Sequence, residues 1–448
     1  MNTPAPAPPT KVIPPETGYY YLQSLRASKL PRGQLRELQA RRLRAALTFA
    51  ASTVSIYRDM FRERSLTPAD VRSADDLRKL PLYSKADIMR GQEEAMKEGG
   101  AAGARLITSS GTTGRPSALA RSREAVAVNR ALGFRKMTEL GIRPWSKVAT
   151  LWAPQKYWRS QVERGVAKPV TGLYDLPITF LGRTLPNILT LWVDPRDPGR
   201  DRRTLASFDP EYVYSRPSHL RRMARKSGPN LGISPKAIMA TGEIVTETGV
   251  RELRSAYGAK VIRSYGAAGV GSLAGECLYE SGLHTWEDYK VYEVLKDGDA
   301  VSPGEVGELV ITVLHRDVIP LIRFRTGDLV RLGADDRCEC GSSMRRLSSI
   351  EGREDDCVVG KDGERFLATE VSDYLESKFG LRDFQLVQRG MFEFGLLLTA
   401  DNLEWYKGGS GVKEYLEEIV GSPVNLEVRP RSDDDYWVKT RPVVCKVL

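Results

Sequence analysis

An α/β protein of two domains is predicted by two features of the chain. Short apolar runs alternate with helical stretches over residues 105–347, and after Gly352 the texture changes to a denser mixture of short strands and helices. The first part reads as a large N-terminal domain with β-sheets flanked by helices, the second as a small α+β domain. A length of 448 residues supports the division, because a chain of that size usually splits its apolar groups between cores.

Residues 1–18 read as a disordered lead-in: four prolines stand between Asn2 and Thr10, and such a stretch has too little apolar surface to offset its ordering entropy. Residues 19–64 read as helical, with Leu35, Leu38, Leu43, Ala46 and Phe49 near helical spacing and basic residues opposite them. A short strand at 104–107 precedes a Ser/Thr/Gly loop, and Ser122 caps a helix that runs to about Gly141. Apolar runs at 148–152, 188–193, 212–214, 237–240 and 260–262 supply strands of the large domain. In the small domain Val358-Val359 turns through Lys361-Asp362-Gly363 as a hairpin. A helix at 369–379, strands at 384–387 and 394–399, a helix at 412–420 and a strand at 424–428 follow. The large domain is therefore expected at 19–351 and the small one at 352–448.

No apolar run reaches the roughly 18 residues of a membrane span, and no charged start leads into an apolar signal segment, so a cytoplasmic protein without a membrane partner is expected. Lys and Arg number 67 against 57 Asp and Glu, a formal charge of +10 that favours anionic partners. The basic residues are scattered (Arg41, Arg42, Arg44; Arg221, Arg222, Arg225; Arg345, Arg346), with no RNA-recognition signature or zinc-finger spacing beside them, so nucleic acid is not expected. ATP, pyrophosphate or coenzyme A fits the charge more simply. Five cysteines in a chain of this length argue against a disulfide framework.

The run Thr108-Ser109-Ser110-Gly111-Thr112-Thr113-Gly114-Arg115-Pro116 points to polyphosphate. Its glycines let successive backbone N–H groups turn toward an anion, its hydroxyls add donors, and Arg115 adds a fixed positive charge. The same composition also suits a solvated turn, and the run lacks both the Gly-Lys-Ser/Thr ending of a P-loop and a GxGxxG.

Other motifs follow in order: Ser264-Tyr265-Gly266, then Arg323-Phe324-Arg325-Thr326-Gly327-Asp328, then Gly352-Arg353-Glu354-Asp355-Asp356, and near the end Lys439. Together with the loop they resemble the adenylate-forming superfamily. Asp75-Asp76-Leu77-Arg78-Lys79-Leu80-Pro81, Gly275-Glu276-Cys277, Gly282-Leu283-His284-Thr285-Trp286-Glu287-Asp288 and Pro320-Leu321-Ile322-Arg323 narrow the resemblance to its phenylacetate-CoA ligase and CapK-like branch.

The resemblance implies an acyl-CoA ligase that activates a carboxylic acid with ATP and Mg2+ and transfers the acyl group to coenzyme A; an amine or a carrier-protein thiol is the alternative acceptor. It places Ser110, Gly111, Thr112, Thr113 and Gly114 on the β and γ phosphates, Tyr265 near adenine and Asp328 on the ribose hydroxyls, with Ser109, Arg115 and Gly266 as further ATP- or AMP-binding residues. Arg353 is implied at the ribose or phosphates, and Asp355 as the hinge of a mobile small domain. Lys439 is implied as the cation that offsets charge as pyrophosphate leaves, with Lys446 as the competing choice because Val438 stands where the family has glycine. A homodimer is a further implication.

Cys277, His284, Cys338 and Cys340 offer three thiolates and an imidazole for a closed tetrahedral zinc site, with Gly341 suited to a tight knuckle; buried thiols and a satisfied histidine are the plainer alternative. One departure stands out. After Tyr265-Gly266 the family continues to a Ser/Thr and a metal-binding Glu, whereas this chain has Ala267-Ala268-Gly269, which removes two hard oxygen ligands. Glu276 is the nearby substitute for magnesium, and a nucleotide binder that has lost turnover is the rival reading. The acid pocket is expected around Trp152, Tyr214, Gly242 and Ala267, where the aromatic residues suit either an aromatic acid or an ordinary core.

Overall fold

The structure, a computed structural model, describes residues 16–98, 103–108, 118–143, 145–152, 202–227, 231–267, 269–406, 411–432 and 441–447, with short strands at 168–170, 179–180, 183–184 and 188–192. Helices open the chain at Thr17–Ala27, Arg32–Thr53 and Ser55–Glu63. Thr17 and Gly18, expected in the lead-in, are already helical, because Thr17 is buried where this first helix packs on Arg123–Glu139. In Arg32–Thr53 the buried Leu35, Gln39, Leu43, Ala46, Leu47 and Ala50 recur at three and four residues and form one face. Arg123–Glu139 starts as expected at Ser122, whose side chain accepts from the Ala125 N–H at 3.1 Å.

Among the described residues thirteen strands form one mixed sheet. Lys260–Ala267 is its pivot: it pairs parallel with Ala237–Thr241 on one side and antiparallel with Gly271–Glu276 on the other. The parallel half continues through Tyr212–Ser215, Val148–Trp152 and Ile188–Trp192. These are the apolar runs legible in the sequence, as expected of strands covered on both faces. Ile238 and Val261 meet Leu220, Met223, Val250 and Leu253 of the helices Pro217–Ser227 and Glu247–Tyr257. Met239 and Ile262, one residue on, face Met137 and Leu140 on the opposite side of the sheet. The antiparallel half runs through Leu283–Thr285, Arg346–Arg353, Phe324–Leu332, Val306–Val313 and Lys290–Lys296. Gly352 and Arg353 still pair there with Leu329 and Asp328, so the chain leaves the large sheet after Arg353.

The remaining residues build a separate four-stranded sheet in the order Asn425–Pro430, Glu393–Leu398, Gln385–Gly390, Val443–Cys445, beside the hairpin Cys357–Val359 and Arg365–Leu367. Helices Ala368–Phe379 and Val412–Val420 cover it. No described helix is long and apolar enough to cross a membrane.

Candidate active site

Ligand crevices in open α/β sheets form beyond the carboxyl ends of parallel strands. Here those ends carry Gly242 and Glu243, just after Ala237–Thr241, and Tyr265 and Ala267 at the end of Lys260–Ala267. They face a cavity of about 600 Å³. Asp328 and Thr326 enter it from Phe324–Leu332, and Asp356, Thr369, Asp373 and Arg441 from the small domain.

The Tyr265 hydroxyl donates to Asp328 Oδ2 at 2.5 Å. Desolvation, then the Asp328 charge, pushes the phenol well above its ordinary range, so it stays a donor. The Asp328 N–H in turn donates to Thr326 Oγ1 at 3.1 Å, and that hydroxyl donates to the Leu309 carbonyl at 2.7 Å, which fixes the turn. Gly327, at φ +71°, leaves room for the Arg353 guanidinium, which a β-carbon there would meet at 3.0 Å. Arg353 is the cross-strand partner of Asp328, its Nε 4.0 Å from Asp328 Oδ1 and 3.6 Å from Asp355 Oδ1. Asp355 is also held by Arg441 at 3.1 Å, while Arg441 Nε donates to Asp356 at 2.6 Å. Tyr265, Gly266, Ala267, Gly242, Asp328 and Arg353 are thus brought to one cavity, while Asp355 lines a separate, neighbouring one that Arg353 also borders.

Other expectations land elsewhere. Glu276 does not reach the cavity: it is buried and accepts from the Arg263 N–H at 2.6 Å and from Arg263 Nε at 2.8 Å, so it is not the substitute magnesium ligand. Gly269 sits at φ +81° with the Leu119 side chain standing where a β-carbon would project. A carboxylate at that position fits neither the backbone nor the space, and the residues present do not fit a magnesium held by this turn. Tyr214 packs with Met239 and Ile262 on the helix-covered face of the sheet rather than lining the cavity. Trp152 pairs with Trp192 through its backbone, and its side chain lies outside the described residues. The same holds for Ser109 to Arg115, Ala268 and Lys439. What is described around the loop is its frame, the strand pair Arg105–Thr108 and Ala118–Arg121 leading to the capped helix.

Sequence reasoning gave no role to Lys85, Ile88 and Met89, which line the cavity from the helix Lys85–Lys97. Nothing local distinguishes them from other residues of an amphipathic helix. Thr326 lies within the Arg323–Asp328 motif and Arg441 two residues after Lys439, and nothing in residue type or spacing singles out either as lining the cavity.

The ligand atoms of Cys277, His284, Cys338 and Cys340 all lie within 4.8 Å of one another. Cys277 Sγ is 3.7 Å from Cys338 Sγ, and Cys340 Sγ 3.6 Å from His284 Nε2. Zinc–sulfur bonds of about 2.3 Å in a tetrahedron place sulfurs about 3.8 Å apart, so the set has the dimensions of a zinc cage. Hydrogen bonding from Cys340, and then from His284, holds the Cys277 thiol well below its ordinary range. The knuckle is closed by the Gly341 N–H donating to the Cys338 carbonyl at 2.8 Å. None of the four residues lines the cavity.

No protein-family model matches the chain. It is 27% identical to the phenylacetate-coenzyme A ligase of Thermus thermophilus, over 74% of this chain and 73% of that protein. To the Pseudomonas putida protein of the same name it is 28% identical, over 76% and 75%. Among solved structures, a 2-hydroxyisobutyryl-CoA ligase in the postadenylation state aligns with a TM-score of 0.71 at 22% identity, covering 94% of this chain and 91% of that one. The same ligase in the thioesterification state aligns with a TM-score of 0.59. The chain is similar to phenylacetate-CoA ligases, and its fold is that of the 2-hydroxyisobutyryl-CoA ligase.

Proposed function

We propose that this protein is an ATP-dependent acid–CoA ligase that works through an acyl adenylate. The observation that carries the reading is the Tyr265–Asp328 hydrogen bond at the cavity between the two domains, because it presents a carboxyl group and an aromatic ring together at the sheet's crevice. A carboxylate accepts from both hydroxyls of a ribose at once, and the ring offers adenine a face. Similarity to phenylacetate-CoA ligases supports the same reading.

In the first step a carboxylate oxygen of the acid attacks the α-phosphorus of ATP, and pyrophosphate leaves with the bonding electrons. In the second, a thiolate of coenzyme A attacks the acyl carbonyl and AMP departs. Asp328 holds the ribose, Arg353 the ribose or phosphate edge, and Ser109 to Arg115 the distal phosphates. Lys439 offsets charge on the departing pyrophosphate. Gly242 and Ala267 border the acid. We assign no step to a protein-held magnesium. The Cys277, His284, Cys338 and Cys340 cage is read as a zinc site without an open position, which braces the fold. The glycine at 269 favours one rival, nucleotide binding without turnover.

Acid-dependent pyrophosphate exchange over a panel of aromatic and aliphatic acids tests the reading, with coenzyme A thioester measured as product. Exchange is expected in the wild type and its near loss in Lys439→Ala. ATP binding with no exchange for any acid establishes the rival instead.

A further inference from the structure

The two domains are joined by charge. Arg221 of the helix Pro217–Ser227 donates from Nη1 to Glu376 at 2.7 Å and from Nε to Glu252 at 2.7 Å. Glu376, on the small domain's helix Ala368–Phe379, also accepts from the Thr246 hydroxyl at 2.5 Å. Arg222 lies 3.2 Å from Asp383, which Arg225 contacts as well, and Arg382 Nε donates to Glu252 at 3.1 Å. The Thr248 N–H donates to Asp373 at 2.8 Å. The charges are enclosed: side-chain exposure is 9% for Arg221, 6% for Glu376, 7% for Arg222 and 6% for Asp383.

The apolar cores do not bridge the two domains. Among the described residues, the small domain's core cluster contains only its own side chains, from Val358 to Val443. The cluster beneath Pro217–Ser227 and Glu247–Tyr257 contains only the large domain's. Buried ion pairs gain little over apolar contacts of the same volume, since desolvation offsets their attraction, but separated partners regain hydration that separated apolar faces do not. Such an interface holds firmly when closed and opens at low cost. The helix that bears Glu376 also presents Thr369, Glu370 and Asp373 to the cavity, so whatever fixes Glu376 fixes that wall.

We propose that this ion-pair set is a dissociable latch, in which Arg221, Glu376 and Asp383 are positioning residues that hold the small domain's wall over the nucleotide cavity. The proposal rests on the nucleotide reading of that cavity. Small-angle scattering on the full chain without substrate, in a salt series from about 50 mM to about 500 mM, tests it directly, because salt stabilises the separated, solvated charges of the open form more than the enclosed pairs of the closed one and leaves apolar contact in place. The wild type is expected to expand as salt rises, and Asp383→Asn to be expanded already at low salt. In pyrophosphate exchange, Asp383→Asn and Glu376→Gln are expected to raise the KM for ATP about tenfold with the saturated rate changed by less than about twofold, and to flatten the salt dependence of KM seen in the wild type.

A wild-type radius of gyration that is constant across the series overturns the latch. So do folded variants whose KM and salt profile match the wild type's. If a variant fails to fold, shown by its circular dichroism, the wild-type scattering series decides alone. Absence of exchange in the wild type refutes the ligase reading and leaves the scattering result standing.

Discussion

Tyr265 and Asp328 touch at 2.5 Å although three strands separate theirs in the order of the sheet. Across a flat sheet that displacement is about 19 Å, so the sheet must curl strongly on itself between Lys260–Ala267 and Phe324–Leu332. The curl makes the cavity, and the hydrogen bond spans it.

Removing the hydroxyl with Tyr265→Phe is expected to weaken ATP binding about tenfold, and Asp328→Asn about a hundredfold, since hydrogen bonds to a charged acceptor contribute about 1.5–3 kcal/mol. The double variant should lose less than the two effects combined. Calorimetric titration with ATP measures all three.

Purified under non-chelating conditions, the protein is expected to hold about one zinc per chain. Cys338→Ser should lower the metal content and the melting midpoint by about 5 °C, with the midpoint of the wild type falling similarly after chelation and recovering on zinc addition. Zinc-free wild-type protein of unchanged midpoint contradicts the cage.

Introducing an acid with Gly269→Glu should not create a magnesium ligand. The substitution forces a side chain into φ +81° against Leu119 and is expected to cost about 1–3 kcal/mol in denaturant unfolding, with no gain in magnesium affinity. Tighter magnesium binding at unchanged stability would show that Leu119 yields.

Lys290 is fully buried and its ammonium has no hydrogen-bond partner among the described residues; burial, opposed by Asp288 and reinforced by Arg121 and Arg135, brings it down to about 7 from the usual 10.5. Between those values the unfolded chain binds more protons than the folded one, so this group makes stability rise with pH through the window, with its full penalty below it. Lys290→Met is therefore expected to exceed the wild type by about 2 kcal/mol near neutral pH, the gap narrowing toward pH about 10. Unfolding curves at several pH values check the sign.

Much of this arrangement was legible in the chain, and the pattern of what was not is physical. Val148–Trp152, Ala237–Thr241 and Val412–Val420 stand out because strands buried on both faces and one-sided helices leave strong apolar signals. The antiparallel strand Phe324–Leu332 does not: only Phe324 and Val330 of its nine residues are buried, and its signal is a motif instead. Tyr265, Asp328 and Arg353 were recognisable in the same way. Glu276 misled because proximity in sequence says nothing about the strand's facing: its side chain turns back to Arg263. The latch at Arg221, Glu376 and Asp383 left no mark, since charges distant in sequence reveal their pairing only through the fold.

The separation of the two apolar cores bears on how the molecule melts. Cooperative unfolding depends on side chains whose loss exposes both halves at once, and none of the described clusters supplies such a side chain. A calorimetric scan should therefore resolve two heat-absorption peaks. Nucleotide that engages both halves should draw them together, turning the shape of the endotherm into a measure of occupancy.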